Sequence, residues 1–395
     1  MKATTIANWE EALWPIIRLA PSQLIVSKYS EGRLDFLKKL KEEILSETFS
    51  PPEDLSVTLW GIKFKTPLMN SAGMFKNGEC YEMVAKQGAG AYLGGTGTWS
   101  HWLGNVGLAN PVGSEKNIVR LPDVDIQKRR DYLKRGIYLP FVPYRDSHAA
   151  SNCLGLPNDG DRENSQKAAL ERVENCPVGW SLMGSPDFQA DKKLKYLVKG
   201  MWLYGEVGVD FLEMNESCPN TSHGKPQDDD IANRLRYVKE NFLNQRQRRI
   251  PVIVKFSNDT QVEQLPALLD LLFELDYDGV NFGNTSTNYD QRREKIHPSE
   301  RRIYDFFTKT FGGGVSGNPL KESSLELASR AVEYLREGAP KQEFHVIRTG
   351  GIENLQDIRD SQMAGISLNQ WYTGYFRNFS KHGHEVYMRL FENSS

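Results

Sequence analysis

Four cysteines in 395 residues are few, and Cys80, Cys153, Cys176 and Cys218 lie far apart. They lack the paired spacing that holds a structural zinc or frames a disulfide scaffold, so no metal is expected and a reducing compartment, the cytoplasm, fits best. Charge of one sign is not in excess either, since 49 Lys and Arg stand against 51 Asp and Glu for a net charge of −2. The basic footprint of a nucleic-acid binder is therefore missing, and small molecules are the expected partners. Long apolar runs are absent too: none approaches the roughly 18 residues that would span a bilayer. The opening MKATTIANWEEALW carries glutamates where a signal peptide would be apolar. The chain is expected to be soluble, or peripheral at the inner face of a membrane.

What is present is enough sequence for one barrel-sized core. Residues 1–50 read as an N-terminal helical extension, with Trp9, Leu13, Ile16 and Ile17 on one apolar stripe, Leu34, Leu37 and Ile44 on another, and Pro21 between. Two readings stay open for it: a cap packed on the main domain, or a hairpin at a membrane surface that admits a quinone. Residues 51–395 read as one domain in which short β-rich runs alternate with helical ones, the pattern of parallel βα units rather than hairpins. Eight such runs begin near Pro67, Gly90, Val178, Asp210, Pro251, Gly279, Phe344 and Ser367. Eight units predict an α/β fold, the (β/α)8 TIM barrel. Two long connections, Thr98 to Cys176 and Ser286 to Pro340, are expected to cover its active-site face.

Nearly every run ends in Asn, Ser, Thr, Lys or Gly, and in such barrels the C-terminal strand ends form the reacting face. The stretch DFLEMNESCPNTSHGKPQ, Asp210 to Gln227, carries a strand straight into Asn215, Ser217, Cys218 and Asn220. Asn152, Asn215, Asn220 and Asn284 offer paired donors and acceptors, which match the alternating edge of a pyrimidine; singly, each is as well explained by capping its own loop. Lys255 lies mid-strand among apolar residues, so it either meets a negative charge or is deprotonated. Beside a flavin it would stabilise the reduced ring; alone at a barrel's centre it would suit a Schiff base. Cys218 is the thiol next to the amides and can accept a proton where its surroundings favour thiolate. Glycines at Gly312–Gly317, Gly350, Gly351 and Gly374 permit tight turns and, together, a phosphate cradle after the seventh and eighth strands, implying a phosphorylated cofactor.

These motifs, MNESCPNTSHGKPQ, VIVKFSND, GVNFGNTS, GGGVSGNPL, TGGI and QWYTG, resemble in order and spacing the dihydroorotate dehydrogenase family, from about Pro67 to Tyr375. The resemblance implies a barrel with bound FMN that oxidises dihydroorotate to orotate in pyrimidine synthesis. It matches Ala72, Gly73, Gly95 and Thr96 to residues lining the flavin, Ser181 to a contact from the third strand, and Lys255 to the lysine beside the ring. Ser316, Gly317, Gly350, Gly351, Tyr372 and Thr373 match phosphate and ribityl contacts. Lys76 matches the lysine near the substrate carboxylate, Asn152, Asn215, Asn220, Asn284 and Thr285 the polar ring around the pyrimidine, and Cys218 the base at C5.

For the electron acceptor the resemblance divides. A cysteine base is similar to the soluble branches, which use fumarate or an NAD-linked partner, and the quinone branch usually carries serine. The N-terminal extension, the lysine in AGMFKNG, the form GGVSGNPL and Gly95 in place of a lysine point to quinone, with peripheral membrane contact through the N-terminal helices. Competing readings are a related FMN-dependent enzyme acting on another dihydropyrimidine or enone, a non-catalytic flavin-binding barrel, and an aldolase-like lyase with Lys255 as Schiff base.

Overall fold

Eight apolar runs closed by polar residues become eight parallel strands. The computed structural model describes residues 1–51, 55–105, 139–169, 171–173, 175–217, 231–338 and 340–392. Among these the barrel strands are Leu68–Asn70, Tyr92–Gly97, Val178–Leu182, Phe211–Asn215, Val252–Ser257, Gly279–Asn284, His345–Thr349 and Leu368–Trp371, called the first to eighth below. Each begins within two residues of its expected position. The ladder runs first, eighth, seventh, sixth, fifth, fourth, third, second, parallel throughout. Outward residues such as Leu212, Met214, Val252 and Val254 pack against surrounding helices, including Ala190–Glu206, Leu265–Glu274 and Lys321–Glu337. Burial on both faces is why the strands read as near-continuous apolar runs.

Inward residues stack in layers, because side chains two apart share a face. Phe211, Ile253, Ile347, Leu368, Met69 and Leu93 fill the lowest layer together with Leu59 and Phe64. The last two belong to an antiparallel hairpin, Val57–Leu59 with Ile62–Phe64, that plugs the barrel floor. Above the apolar layer the inward residues become polar: Glu213, Lys255, Asn281, Thr349 and Gln370, all buried.

The ladder leaves one seam, between the first and second strands, and a side chain closes it. Asn70 Nδ2 donates to the Leu93 carbonyl at 2.7 Å and its Oδ1 accepts from Leu93 N–H at 3.1 Å. The amide thus substitutes for a missing residue of backbone pairing, with Gly90 N–H on the Leu68 carbonyl (2.9 Å) continuing the link.

The described parts of the two long connections border the barrel mouth, as a sheet rather than as loops alone. Phe141–Tyr144 and Ala149–Asn152 from the first pair antiparallel with Gly314–Gly317 from the second, Ala149–Asn152 in the middle. Neither this sheet nor the floor hairpin fits the expectation of parallel units only. The hairpin turns through Trp60 and Gly61, both at positive φ (54° and 74°), without the Asn-Gly or Asp-Gly signal that betrays such turns. The strand FVPY contains a proline, tolerable because it lies at the sheet edge.

The N-terminal helices, Ala3–Ile17 and Ser22–Glu42, pack on that sheet. Trp14, Ile25 and Val26 enter a cluster with Val142, Tyr144, Ile303 and Phe307, and Trp14 Nε1 donates to Glu300 at 2.7 Å. Most of the stripe read from sequence is not the packing face: Trp9, Leu13 and Ile16 are 62%, 47% and 69% exposed, while Ile17 packs against that cluster. The first helix is apolar on two sides, and periodicity alone does not say which side meets the protein. Among the described residues, no helix is long and apolar enough to cross a membrane.

Replacing the seam amide tests its part in closing the barrel. Asn70→Ala leaves a buried donor and a buried acceptor of Leu93 unpaired and is expected to lower stability by ~2–4 kcal/mol in urea denaturation; an unchanged midpoint would show that the seam closes without it.

Candidate active site and the channel beside it

The polar layer surrounds Lys255. Its Nζ donates to Gln370 Oε1 at 3.1 Å and Glu213 Oε1 at 3.4 Å, while Glu213 Oε2 accepts from Gln370 Nε2 (2.7 Å) and Asn281 Nδ2 (2.9 Å). Thr349 Oγ1 lies 2.9 Å from Asn281 Oδ1 and 3.1 Å from Gln370 Oε1. Because both amide oxygens face donors, both amide nitrogens are left to face the carboxylate. Of the alternatives open for Lys255, the structure supplies the anionic partner. The sequence reading missed Glu213, although a period-2 signal was there: it stands two residues before Asn215 on the same inner face.

One step higher, an amide chain crosses the mouth. Asn284 Nδ2 donates to Asn215 Oδ1 at 3.0 Å, Asn215 Nδ2 to Thr96 Oγ1 at 3.2 Å, and Thr96 Oγ1 lies 3.1 Å from Ser181 Oγ. Ser217 N–H also reaches Asn215 Oδ1 (3.3 Å), fixing where the chain leaves the fourth strand. Asn215 keeps one N–H for a ligand after these bonds, whereas Asn284 Nδ2 also reaches Ser217 Oγ at 3.4 Å.

The third part is a glycine-lined corner. Gly317 and Gly351 have φ of +93° and +71°, and an added Cβ would stand 2.2 Å from the His148 carbonyl and 2.4 Å from Lys321 Cα, so only glycine fits either place. The carbonyls of Thr349 and Gly350 are taken by Asn258 Nδ2 (3.3 Å) and Ser324 Oγ (2.7 Å). Wholly buried Arg348 holds Ser324 Oγ from behind at 3.0 Å. Ser316 Oγ and Thr373 Oγ1 meet at 2.9 Å, where the helix Thr373–His382 begins. A helix N-terminus, two hydroxyls and carbonyls tied away from the opening suit a phosphate monoester.

These parts line one cleft, with about 990 Å3 of space between its walls and the solvent at its opening. Of the residues singled out from sequence, Ala72, Gly73, Lys76, Thr96, Asn152, Asn215, Lys255, Asn284, Thr285, Ser316, Gly317, Gly350, Gly351, Tyr372 and Thr373 line it. Ser181 stands behind Thr96, and Gly95 behind Gly73, whose N–H reaches the Gly95 carbonyl at 2.7 Å. Cys218 and Asn220 lie outside the described residues. The donor set fits a flavin mononucleotide: an anion corner for the phosphate, amides and a cation for a polar heterocycle.

A second, mostly apolar cavity of about 1660 Å3 of empty space opens between the two N-terminal helices, past Ala7, Leu24, Gly32 and Phe36. Phe141, Tyr372 and Thr373 border both cavities, so the channel leads to the barrel mouth. Near Tyr372 its wall includes Arg145, His148 and Arg377. His148 Nδ1 lies 2.9 Å from Glu353 Oε2, and burial, with Asp357 nearby, pushes the Glu353 carboxyl up to about 7.

Comparison with known proteins adds a lineage to this geometry. The family model described as dihydroorotate dehydrogenase matches residues 142–390, more than half of the chain. Curated relatives named dihydroorotate dehydrogenase (quinone) include one from Arthrobacter sp., 27% identical over 346 residues and covering 84% of this chain and 83% of that protein. Another, from Pectobacterium carotovorum, is 26% identical over 375 residues, covering 92% and 95%. Crystal structures of DHODH from Eimeria tenella, in complex with ferulenol and ligand-free, share the fold with a TM-score of 0.69 at 21% identity; each covers 93% of this chain, with 89% and 93% of the other chain matched.

If Glu213 is the charge partner of Lys255, removing the cation alone strands a buried carboxylate. Lys255→Met is expected to cost ~3–5 kcal/mol, and adding Glu213→Gln to recover much of that loss. Urea denaturation of the two single variants and the double variant, under identical ligand conditions, measures the coupling; additive losses would mean that the pair does not act as one.

Proposed function

Because the chain belongs to the dihydroorotate dehydrogenase family, we propose that it oxidises dihydroorotate to orotate with bound FMN, in pyrimidine synthesis, and passes the electrons to a quinone. The observation that carries this reading is the meeting of an anion corner, an amide chain and a lysine in one cleft, with an apolar channel reaching the same mouth. Ser316, Gly317, Gly350, Gly351, Tyr372 and Thr373 would hold the phosphate and ribityl chain; Ala72, Gly73, Thr96 and Lys255 would flank the ring, with Gly95 and Ser181 supporting from behind. When bound, FMN would supply a two-electron acceptor for the hydride leaving C6 of the substrate.

The protein's own part is to hold and deprotonate. Lys76 meets the substrate carboxylate, and Asn152, Asn215, Asn220, Asn284 and Thr285 take the alternating N–H and C=O edge of the ring, fixing it for reaction. Cys218, the next residue in sequence after Ser217, takes the C5 proton. An ordinary thiol has a pKa near ~8.5, so the site must favour thiolate for the base to act at neutral pH.

Quinone as acceptor is supported by the apolar channel between the N-terminal helices. Reduction to a quinol takes up protons, and His148, on the channel wall with Glu353 behind it, would be placed to pass one on. The outward stripe of Trp9, Leu13 and Ile16, with Leu19 at 76% exposure, supports peripheral contact with a membrane surface from which a quinone would enter.

Purified protein is expected to be yellow, and anaerobic dihydroorotate to bleach it. Cys218→Ala should retain FMN and lose about 10²–10⁴ in the rate of that bleaching, read by stopped flow; near-normal bleaching would remove Cys218 from the role of base. Orotate formation should be faster with a soluble quinone than with fumarate, and turnover with fumarate alone would overturn the acceptor. Gly32 lines the channel and an added Cβ there meets nothing within 4 Å, so Gly32→Phe would narrow the channel from the helix side. It should lower quinone turnover by roughly tenfold, about 1.4 kcal/mol, and leave bleaching by dihydroorotate unchanged.

A further inference from the structure

Glu213 has no part in the chemistry just described, yet it is fully buried at the centre of the barrel, directly below the cleft. A carboxylate at such a place is costly unless every oxygen is met by a donor. Here three N–H groups converge on it, from Lys255, Asn281 and Gln370, at 3.4, 2.9 and 2.7 Å. The side-chain oxygens of Asn281 and Gln370 are turned away toward Thr349 Oγ1 and, for Gln370, also toward Lys255. The surroundings are thus built for the ionised carboxylate: a protonated one would put an O–H against N–H donors. The cation beside it is the one charged side chain of the polar layer that also lines the cleft.

Lys255 carries three N–H donors, two of which are spent on Glu213 and Gln370, leaving one for the cleft. Its charge is compensated from below. In a water-poor interior, a neutralised cation attracts new negative charge above it far less than a bare one, because the carboxylate a few ångströms further away repels that same charge.

We propose that Glu213 is a positioning residue that compensates and anchors Lys255 from inside the barrel, and so holds the reduction potential of bound FMN lower than an uncompensated lysine would. This rests on the flavin reading of the cleft. The consequence is a division of effort: the reduced cofactor is stabilised less, which slows its filling by substrate and favours its emptying to the acceptor. Asn281 and Gln370 keep the carboxylate in register, and Gln370 also holds the ammonium.

The test measures the midpoint potential of bound FMN in the holoprotein by dye-coupled spectroelectrochemistry, which does not depend on turnover. Glu213→Gln should raise the potential, with reduced FMN gaining affinity over oxidised FMN by tenfold or more, ~30 mV or more for a two-electron couple. Glu213→Asp keeps the charge and should stay close to the parent protein. Where Glu213→Gln does not fold, Glu213→Met fills the same volume without polar atoms, and a shift of the same sign is expected. No shift, a shift to lower potential, or equal shifts in the Gln and Asp variants would overturn the proposal and leave Glu213 as packing. A colourless parent protein that takes up no added FMN would instead overturn the flavin reading, and this inference with it.

Discussion

An ammonium group at the axis of a closed barrel has little water to solvate it, and the wall must supply what water would. Lys255 meets that constraint with Glu213 from the neighbouring fourth strand and Gln370 from the eighth, and Glu213 in turn needs Asn281 from the sixth. Four strands are tied at one level by a group of charges and amides, each oriented by the next. Such a network tolerates no slip of register, because a one-residue shift would turn every member to the opposite face. The geometry of the cleft above is therefore inherited from the level below it.

Much of the barrel was legible because its strands obey two local rules at once: apolar runs buried on both faces, and polar residues where the chain emerges. Asn215, Lys255 and Asn284 could be placed on one rim from those rules alone. The seam residue Asn70 could not, since an amide that replaces backbone pairing looks in sequence like one more polar strand end. Glu213 was hidden by its neighbours, as the polar tail beginning at Asn215 drew the eye away from the residue two positions earlier. The antiparallel sheet over the mouth joins residues more than 160 positions apart, Ala150 with Ser316, and no local pattern carries a pairing of that range.

The N-terminal helices illustrate a different limit. An apolar stripe was read on the first helix, but Trp14, which packs, was not on it, because a helix apolar on two sides gives no periodic signal for the side that meets the protein. Trp14 is tied by its indole N–H to Glu300, while Trp9, five residues earlier, is exposed. Partners far along the chain, Glu300 and the cluster of Val142, Ile303 and Phe307 among them, set the orientation of the element.

The middle strand of the small sheet, Ala149–Asn152, has a mixed position. On one side it pairs with Phe141–Tyr144, part of the channel wall; on the other with Gly314–Gly317, part of the phosphate corner; and its last residue, Asn152, reaches the cleft. Three ligands would thus lean on one ribbon four residues long. By linkage, whatever the strand loses in freedom when one of them binds need not be lost again for the next, and the benefit is mutual. Under the proposed function the ribbon would give substrate, cofactor and acceptor one common source of order, so that occupancy at one would be felt at the others without any message having to cross the barrel.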